Sequence, residues 1–287
     1  MYKLLFSLLF AMTGSLLFAQ EYIDAGSEVS GTWKKSRSPY ILQGVTIVPQ
    51  GKTLTIEPGV VVRLQTGDAE DYSDPDFPLG MLRVFGTLIA KGTEKDRILF
   101  TNMEDDGEGD NWGAVQICSD KNKSAFAFCT FEYARGVVNI ELEDGQTVNA
   151  TGALSFIDCG GTVENCVFRG SWAGLNAKGE SQVKVRFSDF VANKYGMESN
   201  GDAKILLNSC IVYGNENGFF INQEGGVTLS YCFVEKGSLH ENAEDVKGNI
   251  LNKKSPLFKD EDEGDFRLDK KSPCLKKGEG NKNIGAY

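Results

Sequence analysis

A period of 22 residues runs through the second half of the chain and constrains its fold more than any other feature. Small residues recur at this spacing at Cys166, Ser188, Cys210 and Cys232. Two residues later the apolar column contains Phe168, Phe190, Val212 and Val234. Glycines keep the same step at Gly174, Gly196 and Gly218. Several columns in one register indicate structural units that stack on one another.

Each unit has the pattern of short strands separated by tight turns. Apolar and other residues alternate in segments such as 183–187, which is typical of strands. Glycine and asparagine, which tolerate positive φ, stand between these segments. We therefore expect each unit to be one coil of a solenoid, with equivalent residues about 4.8 Å apart. Asn193 and Asn215 are expected to form a ladder between coils in one of the turns.

The 22-residue coil and the turn asparagines resemble the exported right-handed parallel β-helix proteins of the pectate-lyase-like superfamily. The resemblance implies an all-β fold, a right-handed parallel β-helix solenoid with an N-terminal cap and a C-terminal tail. It extends over residues 30–287. It implies fold more strongly than activity, because one fold supports many functions.

The pattern divides the chain into four segments. Residues 1–19 are predicted as a signal peptide, 20–44 as an N-terminal cap, 45–250 as the parallel β-helix, and 251–287 as a C-terminal capping tail. The period ends near residue 250, because Lys254 and Pro256 occupy positions that should be small and apolar. An inserted loop is expected within 141–152, where the spacing exceeds one coil.

Residues 1–19 predict export. Lys3 precedes an uncharged, Leu- and Phe-rich stretch that ends at Ala19. The stretch is short for a membrane span, although a membrane anchor is the alternative. No cysteine follows the cleavage position, so a lipoprotein is not expected. We expect a monomer in the periplasm or outside the cell, without a transmembrane segment once the signal is removed.

The charge and the cysteines restrict the function further. A net charge of −10 argues against nucleic acid as a partner. A single histidine, His240, excludes mechanisms that need two imidazoles. Most of the seven cysteines are expected to be buried free thiols, because stacked residues have parallel Cα–Cβ vectors that suit disulfides poorly.

The resemblance also implies where catalysis would occur. Lyases of this fold bind Ca²⁺ through carboxylates and use Arg or Lys as the base. Lys184 or Arg186 is the candidate base here, and Glu164 the candidate Ca²⁺ ligand. The same side chains also fit a Glu164–Arg186 ion pair on a solvated face. The Gly-His-Gly motif of polygalacturonases and the Arg-rich motif of pectate lyases are absent.

Three acidic runs, at 68–77, 104–110 and 259–265, fit inserted loops, and one of them could bind Ca²⁺ weakly. The candidate ligands are Asp105, Asp106, Glu108 and Asp110. Solvated loops are the alternative. No other cofactor is expected.

Aromatic residues predicted to point outwards are candidate contacts for sugar rings. They are Tyr213 and Phe233, with Tyr72 and Phe77 in the first acidic run. Scattered surface aromatics or loop anchors are the alternative.

The sequence favours a non-catalytic exported protein that binds glycan or another surface macromolecule along a sheet face. The alternatives are a polysaccharide lyase or glycoside hydrolase acting on an acidic polysaccharide, and a purely structural role.

Overall fold

A computed structural model describes residues 20–66, 79–103, 112–118, 123–141, 147–222, 224–252, 254–261 and 263–287. Short strands account for nearly all of its regular structure. In chain order they are β1 (Glu21–Ile23), β2 (Gly31–Trp33), β3 (Tyr40–Leu42), β4 (Val45–Val48), β5 (Thr53–Ile56), β6 (Val61–Leu64), β7 (Met81–Val84), β8 (Thr87–Lys91), β9 (Ile98–Asn102), β10 (Val115–Ile117), β11 (Ser124–Ala127), β12 (Cys129–Glu132), β13 (Val137–Glu141), β14 (Thr147–Ala150), β15 (Gly152–Ile157), β16 (Gly160–Glu164), β17 (Val167–Arg169), β18 (Ala173–Lys178), β19 (Gln182–Arg186), β20 (Asp189–Val191), β21 (Tyr195–Asn200), β22 (Lys204–Asn208), β23 (Ile211–Tyr213), β24 (Asn217–Asn222), β25 (Gly226–Ser230), β26 (Phe233–Glu235), β27 (Ala243–Lys247), β28 (Ile250–Asn252), β29 (Phe258–Asp260) and β30 (Asp265–Leu268). Two 3₁₀ turns lie at Lys35–Arg37 and Glu279–Asn281.

Three parallel sheets surround one core. Within the described residues, sheet A has ten strands in the order β1-β3-β6-β9-β12-β17-β20-β23-β26-β28. Sheet B has seven, β4-β7-β10-β15-β18-β21-β24, and sheet C has nine, β2-β5-β8-β11-β16-β19-β22-β25-β27. A complete coil contributes one strand to A, then B, then C, as β17, β18 and β19 do. The chain is therefore a right-handed parallel β-helix solenoid, as its period predicts.

The register of the sheets places the sequence columns directly over one another. Phe168 pairs with Phe190, and Phe190 with Val212. The rings of Phe100, Phe131, Phe168 and Phe190 stack face to face, with centroids 4.6, 5.0 and 4.8 Å apart. These distances equal the separation of neighbouring strands. The predicted apolar column is confirmed, and it forms the centre of the core.

The turn between sheets A and B contains the predicted asparagine ladder. Asn215 Oδ1 accepts hydrogen bonds from the backbone N–H and the Nδ2 of Asn193, at 2.9 and 3.0 Å. Asn193 Oδ1 accepts in the same way from the N–H of Ser171, at 3.0 Å. Both asparagines are buried. The ladder satisfies backbone groups that the turn removes from the sheets.

The small-residue column makes a second ladder, between sheets C and A. The N–H of Cys166 donates to Ser188 Oγ at 3.1 Å, and the N–H of Cys210 to Cys232 Sγ at 3.5 Å. All seven cysteines are free thiols, and six of them are buried. This agrees with the expectation that stacked cysteines act as small core residues.

The N-terminal segment and the insertion differ in detail from what the sequence predicts for them. Residues 20–44, expected as a cap, already contribute β1 and β3 to sheet A and β2 to sheet C. The insertion expected within 141–152 is an antiparallel hairpin of β13 and β14, which begins four residues earlier, at Val137.

Residues 254–287 lie along the outer face of sheet A, whereas a cap would cover the last coil. Phe266 and Ala286 pack on Val167 and Val191. Further along, a second apolar cluster joins the segment to sheet A and contains Ile211, Phe233, Cys274 and Ile284. In the last coil, Leu251 remains 43% exposed.

Candidate functional site

The candidate catalytic residues lie exposed on the outer face of sheet C. Lys184 is exposed and stands opposite Thr162 and Leu206 in the register, whereas Glu164 stands opposite Arg186. Arg186 Nη2 lies 2.9 Å from Glu279 Oε2, so its ion pair is with residues 254–287 and not with Glu164. The face is solvated at these positions, and the three side chains do not form a cleft.

The aromatic candidates of sheet A are partly corrected. Phe233 points out of the coil as predicted, but it is fully buried beneath Cys274 and Ile284 and cannot contact a glycan there. Tyr213 is half-buried, and its ring centroid lies 6.4 Å from that of Phe233. The sequence columns could not foresee that residues 254–287 cover this face.

The remaining candidates lie outside the described residues. They are Tyr72, Phe77, Asp105, Asp106, Glu108 and Asp110. In the part of the chain that is described, no group of three or more His, Cys, Asp or Glu side chains is placed to hold a metal ion. The same part contains no helix that could span a bilayer.

A cleft of about 490 Å³ opens on the outer face of sheet B. Outward positions of four neighbouring strands supply its floor, because alternate side chains of each strand point away from the core. Its polar lining residues are Thr151, Asp158, Asn176, Lys178, Glu198, Asn200 and Asn222. Asn176, Glu198 and Phe220 follow one another in the register of β18, β21 and β24. Across three successive coils, the floor of the cleft therefore presents an amide, then a carboxyl group, then an aromatic ring.

Glu198 is the most strongly perturbed group in this cleft. It is 6% exposed, and its Oε2 accepts hydrogen bonds from Asn176 Nδ2, at 3.1 Å, and from Thr151 Oγ1. Burial raises the pKa of its carboxyl group above the ordinary value, although the two hydrogen bonds act in the opposite direction. Asn176 Oδ1 is buried without a partner among the described residues. The cleft therefore contains a carboxyl group with a raised pKa and a buried amide oxygen that has no partner among the described residues.

The second carboxylate, Asp158, lies at the turn from sheet B to sheet C. It has a φ of 51°, and its Oδ1 accepts a hydrogen bond from the N–H of Glu180, at 3.1 Å. Lys178, at the end of β18, is exposed beside it. This end of the cleft carries groups of both signs, which suits hydrogen bonding to a polar ligand.

An aromatic strip borders the cleft and consists of Trp172, Tyr195 and Phe220. Successive ring centroids are 6.3 and 5.6 Å apart. Trp172 and Phe220 are each 39% exposed, an unusual exposure for large rings. Lys194 Nζ lies 3.5 Å from the centroid of the Trp172 ring, a cation–π contact. The strip runs across three coils and ends at the cleft, since Phe220 belongs to both.

Sequence reasoning missed this face for a definable reason. Asn176, Glu198 and Phe220 do keep the 22-residue step, so a polar column was visible. The aromatic neighbours, however, come from diagonal positions, with 23 residues from Trp172 to Tyr195 and 25 from Tyr195 to Phe220. No single column contains them.

Comparison with known proteins agrees with this architecture. No curated protein matches the chain. Residues 110–251 match the family model described as right handed beta helix region. The cleft, the aromatic strip and both ladders lie within these residues. This part of the chain is therefore similar to that family, and its three parallel sheets have the fold that the model describes.

Proposed function

We propose that the protein is an exported, non-catalytic glycan-binding protein and that it binds its ligand on the outer face of sheet B. The observation that carries the proposal is the aromatic strip beside the polar cleft. Aromatic rings offer flat apolar surfaces to the C–H faces of sugars. Amide and carboxylate groups offer hydrogen bonds to hydroxyls and fix orientation.

The repeated spacing favours a ligand that is itself a linear repeat. The three rings of the strip recur about once per coil, so a polymer aligned with the solenoid meets one aromatic ring at each step. A compact ligand would use only one such position. Export is the other half of the proposal and rests on residues 1–19, which predict cleavage after Ala19.

The test is a binding screen on a polysaccharide panel, followed by calorimetry with the best ligand. Trp172→Ala and Phe220→Ala are each expected to weaken binding about tenfold or more, or roughly 1.4 kcal/mol, as loss of an exposed aromatic anchor does. Leu206→Ala is the matched control, because Leu206 is 45% exposed on the outer face of sheet C. Equal affinity of all four proteins would reject sheet B as the binding face.

A glycoside hydrolase is the second candidate, and the environment of Glu198 favours it. A carboxyl group with a raised pKa can act as general acid, and Asp158 supplies a second carboxylate in the same cleft. Release of reducing ends that disappears in Glu198→Gln while binding persists would establish this alternative. The lyase alternative through Lys184 or Arg186 receives no support from the geometry of sheet C. Ca²⁺ binding by residues 104–110 stays a prediction of the sequence alone.

A further inference from the structure

Residues 254–287, hereafter the strap, are held to sheet A by a small number of polar contacts. The N–H of Gly285 donates to the carbonyl of Ser209 at 2.9 Å, and the N–H of Ala286 donates to Asp189 Oδ1 at 3.2 Å. The N–H of Glu279 donates to Ser209 Oγ at 2.9 Å. These contacts fasten the strap over coils that lie well before the end of the stack.

Asp189 is a carboxyl group buried beneath the strap in an otherwise apolar column. The outward column of sheet A that the strap covers consists of Val167, Asp189, Ile211 and Phe233. The other three side chains are apolar, and Asp189 is fully buried among them. Its Oδ2 has no hydrogen-bond partner among the described residues. A buried carboxylate with an unsatisfied oxygen is costly in its charged form.

Among the described residues one cation, Arg97, acts on Asp189, and its Nη1 has no hydrogen-bond partner there. The charge of Arg97 lowers the pKa of Asp189, but Arg97 Nη2 donates to the carbonyls of Cys129 and Asn165. The guanidinium also lies 4.6 Å from the centroid of the Tyr287 ring. The other titratable groups that interact with Asp189 are Cys210, Cys274 and Tyr287; burial raises the pKa of each, so all three are neutral near pH 7.

The balance of these effects favours the protonated form of Asp189 in the closed state. Burial raises its pKa to about 7, against the opposing effects of the Ala286 N–H and Arg97. Once the strap leaves, Asp189 faces water and its pKa returns to the ordinary value of about 3.9. The closed state therefore binds more protons than the open state between these two values. Closure is strongest at the acidic end of this range and weakens as pH rises through about 7.

We propose that the strap is a pH-dependent closure of sheet A, which opens when Asp189, buried under Ala286, loses its proton. Opening uncovers the apolar column of Val167, Ile211 and Phe233 while the coils themselves stay folded. The proposal does not depend on glycan binding, because the strap covers sheet A and the cleft lies on sheet B.

Hydrogen exchange followed by mass spectrometry tests this on the full chain. The measured quantity is the protection factor of peptides from 279–287, corrected for the intrinsic pH dependence of exchange. From pH 5.5 to pH 8.5 we expect protection to fall on the order of 30-fold, as linkage predicts for a pKa of about 7 in the closed state. Asp189→Asn should keep high protection at both pH values, because its side-chain oxygen still accepts from Ala286. Asp202→Asn, a matched change on an exposed turn, should behave like the wild type.

A second variant should open the strap while Asp189 itself is kept. A Cβ on Gly285 would lie 2.6 Å from Asp189 Oδ1, and Gly285 has a φ of 104°. Gly285→Ala should therefore show low protection at both pH values while β17 and β20 stay protected. The proposal is overturned if wild-type protection does not change with pH, if Asp189→Asn keeps the wild-type pH dependence, or if the coils lose protection together with the strap.

Discussion

Single residues carry unusual backbone strain at two turn positions of every regular coil. Before the small-residue ladder, Asn165, Phe187, Ser209 and Tyr231 have φ values between 45° and 58°. Before the asparagine ladder, Gly170 and Gly214 have φ values of 61° and 68°, and Ala192 has 54°. The left-handed conformation turns the next side chain into the core. The glycines of the second turn were visible in the sequence, whereas Phe187 and Tyr231 were not, because bulky residues seldom adopt this conformation.

Ala192→Gly is expected to stabilise the protein by about 0.5–1 kcal/mol. The left-handed conformation costs a residue with Cβ about 1–2 kcal/mol, and the added backbone entropy of glycine offsets about 0.5–1 of it. The exposed methyl group of Ala192 contributes little packing. The measurement is urea unfolding followed by circular dichroism. Ala177→Gly, a buried position in β18, is the control and should destabilise; a loss of stability in Ala192→Gly would contradict the strain argument.

At the scale of elements, short strands become stable through the ladders that join their turns. A strand such as β20, with three residues, forms few sheet hydrogen bonds of its own. The asparagine and small-residue ladders add bonds at both ends of this strand, from one coil to the next. The period predicted the strands, their register and the ladder, because stacking demands equal spacing. It did not predict that the insertion pairs as a hairpin, since that insertion lies outside the stack.

Asn215→Ala is expected to destabilise the protein by about 2–4 kcal/mol. The change leaves the buried N–H of Asn193 and the carbonyl of Phe190, which accepts from Asn215 Nδ2 at 2.9 Å, without partners. An unsatisfied buried group costs about 1–3 kcal/mol. Asn242→Ala on an exposed turn should change stability by less than about 0.5 kcal/mol. Similar urea midpoints for the two variants would show that the ladder is not a major source of stability.

At the scale of the whole molecule, one continuous core buries five of the seven cysteines. Six cysteines are buried and Cys118 is half-buried. Six of the seven come from coils along the stack, and Cys274 is buried between the strap and sheet A. The column predicted the burial of its own members, Cys129, Cys166, Cys210 and Cys232, because their side chains point inwards. The covering of sheet A could not be predicted, since residues 254–287 have no repeat that relates them to a particular face.

Thiol titration checks this arrangement. In the native protein at pH 5.5, where the strap is closed, we expect one thiol to react rapidly with an aromatic disulfide reagent, and all seven in denaturant, because burial keeps reagent from the other six. Cys118→Ser should abolish the fast phase, whereas Cys232→Ser should leave it unchanged. Rapid reaction of several thiols in the folded protein would contradict a closed core.

The hairpin of β13 and β14 shows how such a chain can change over time. It departs from the stack after Gly136, and β15 resumes the register, so that Leu154 pairs with Val115 on one side and with Leu175 on the other. Additional sequence at this point leaves every neighbouring coil undisturbed. Gene duplication can likewise lengthen the solenoid by whole coils, and new loops can change its surface, while the packing of the core stays the same.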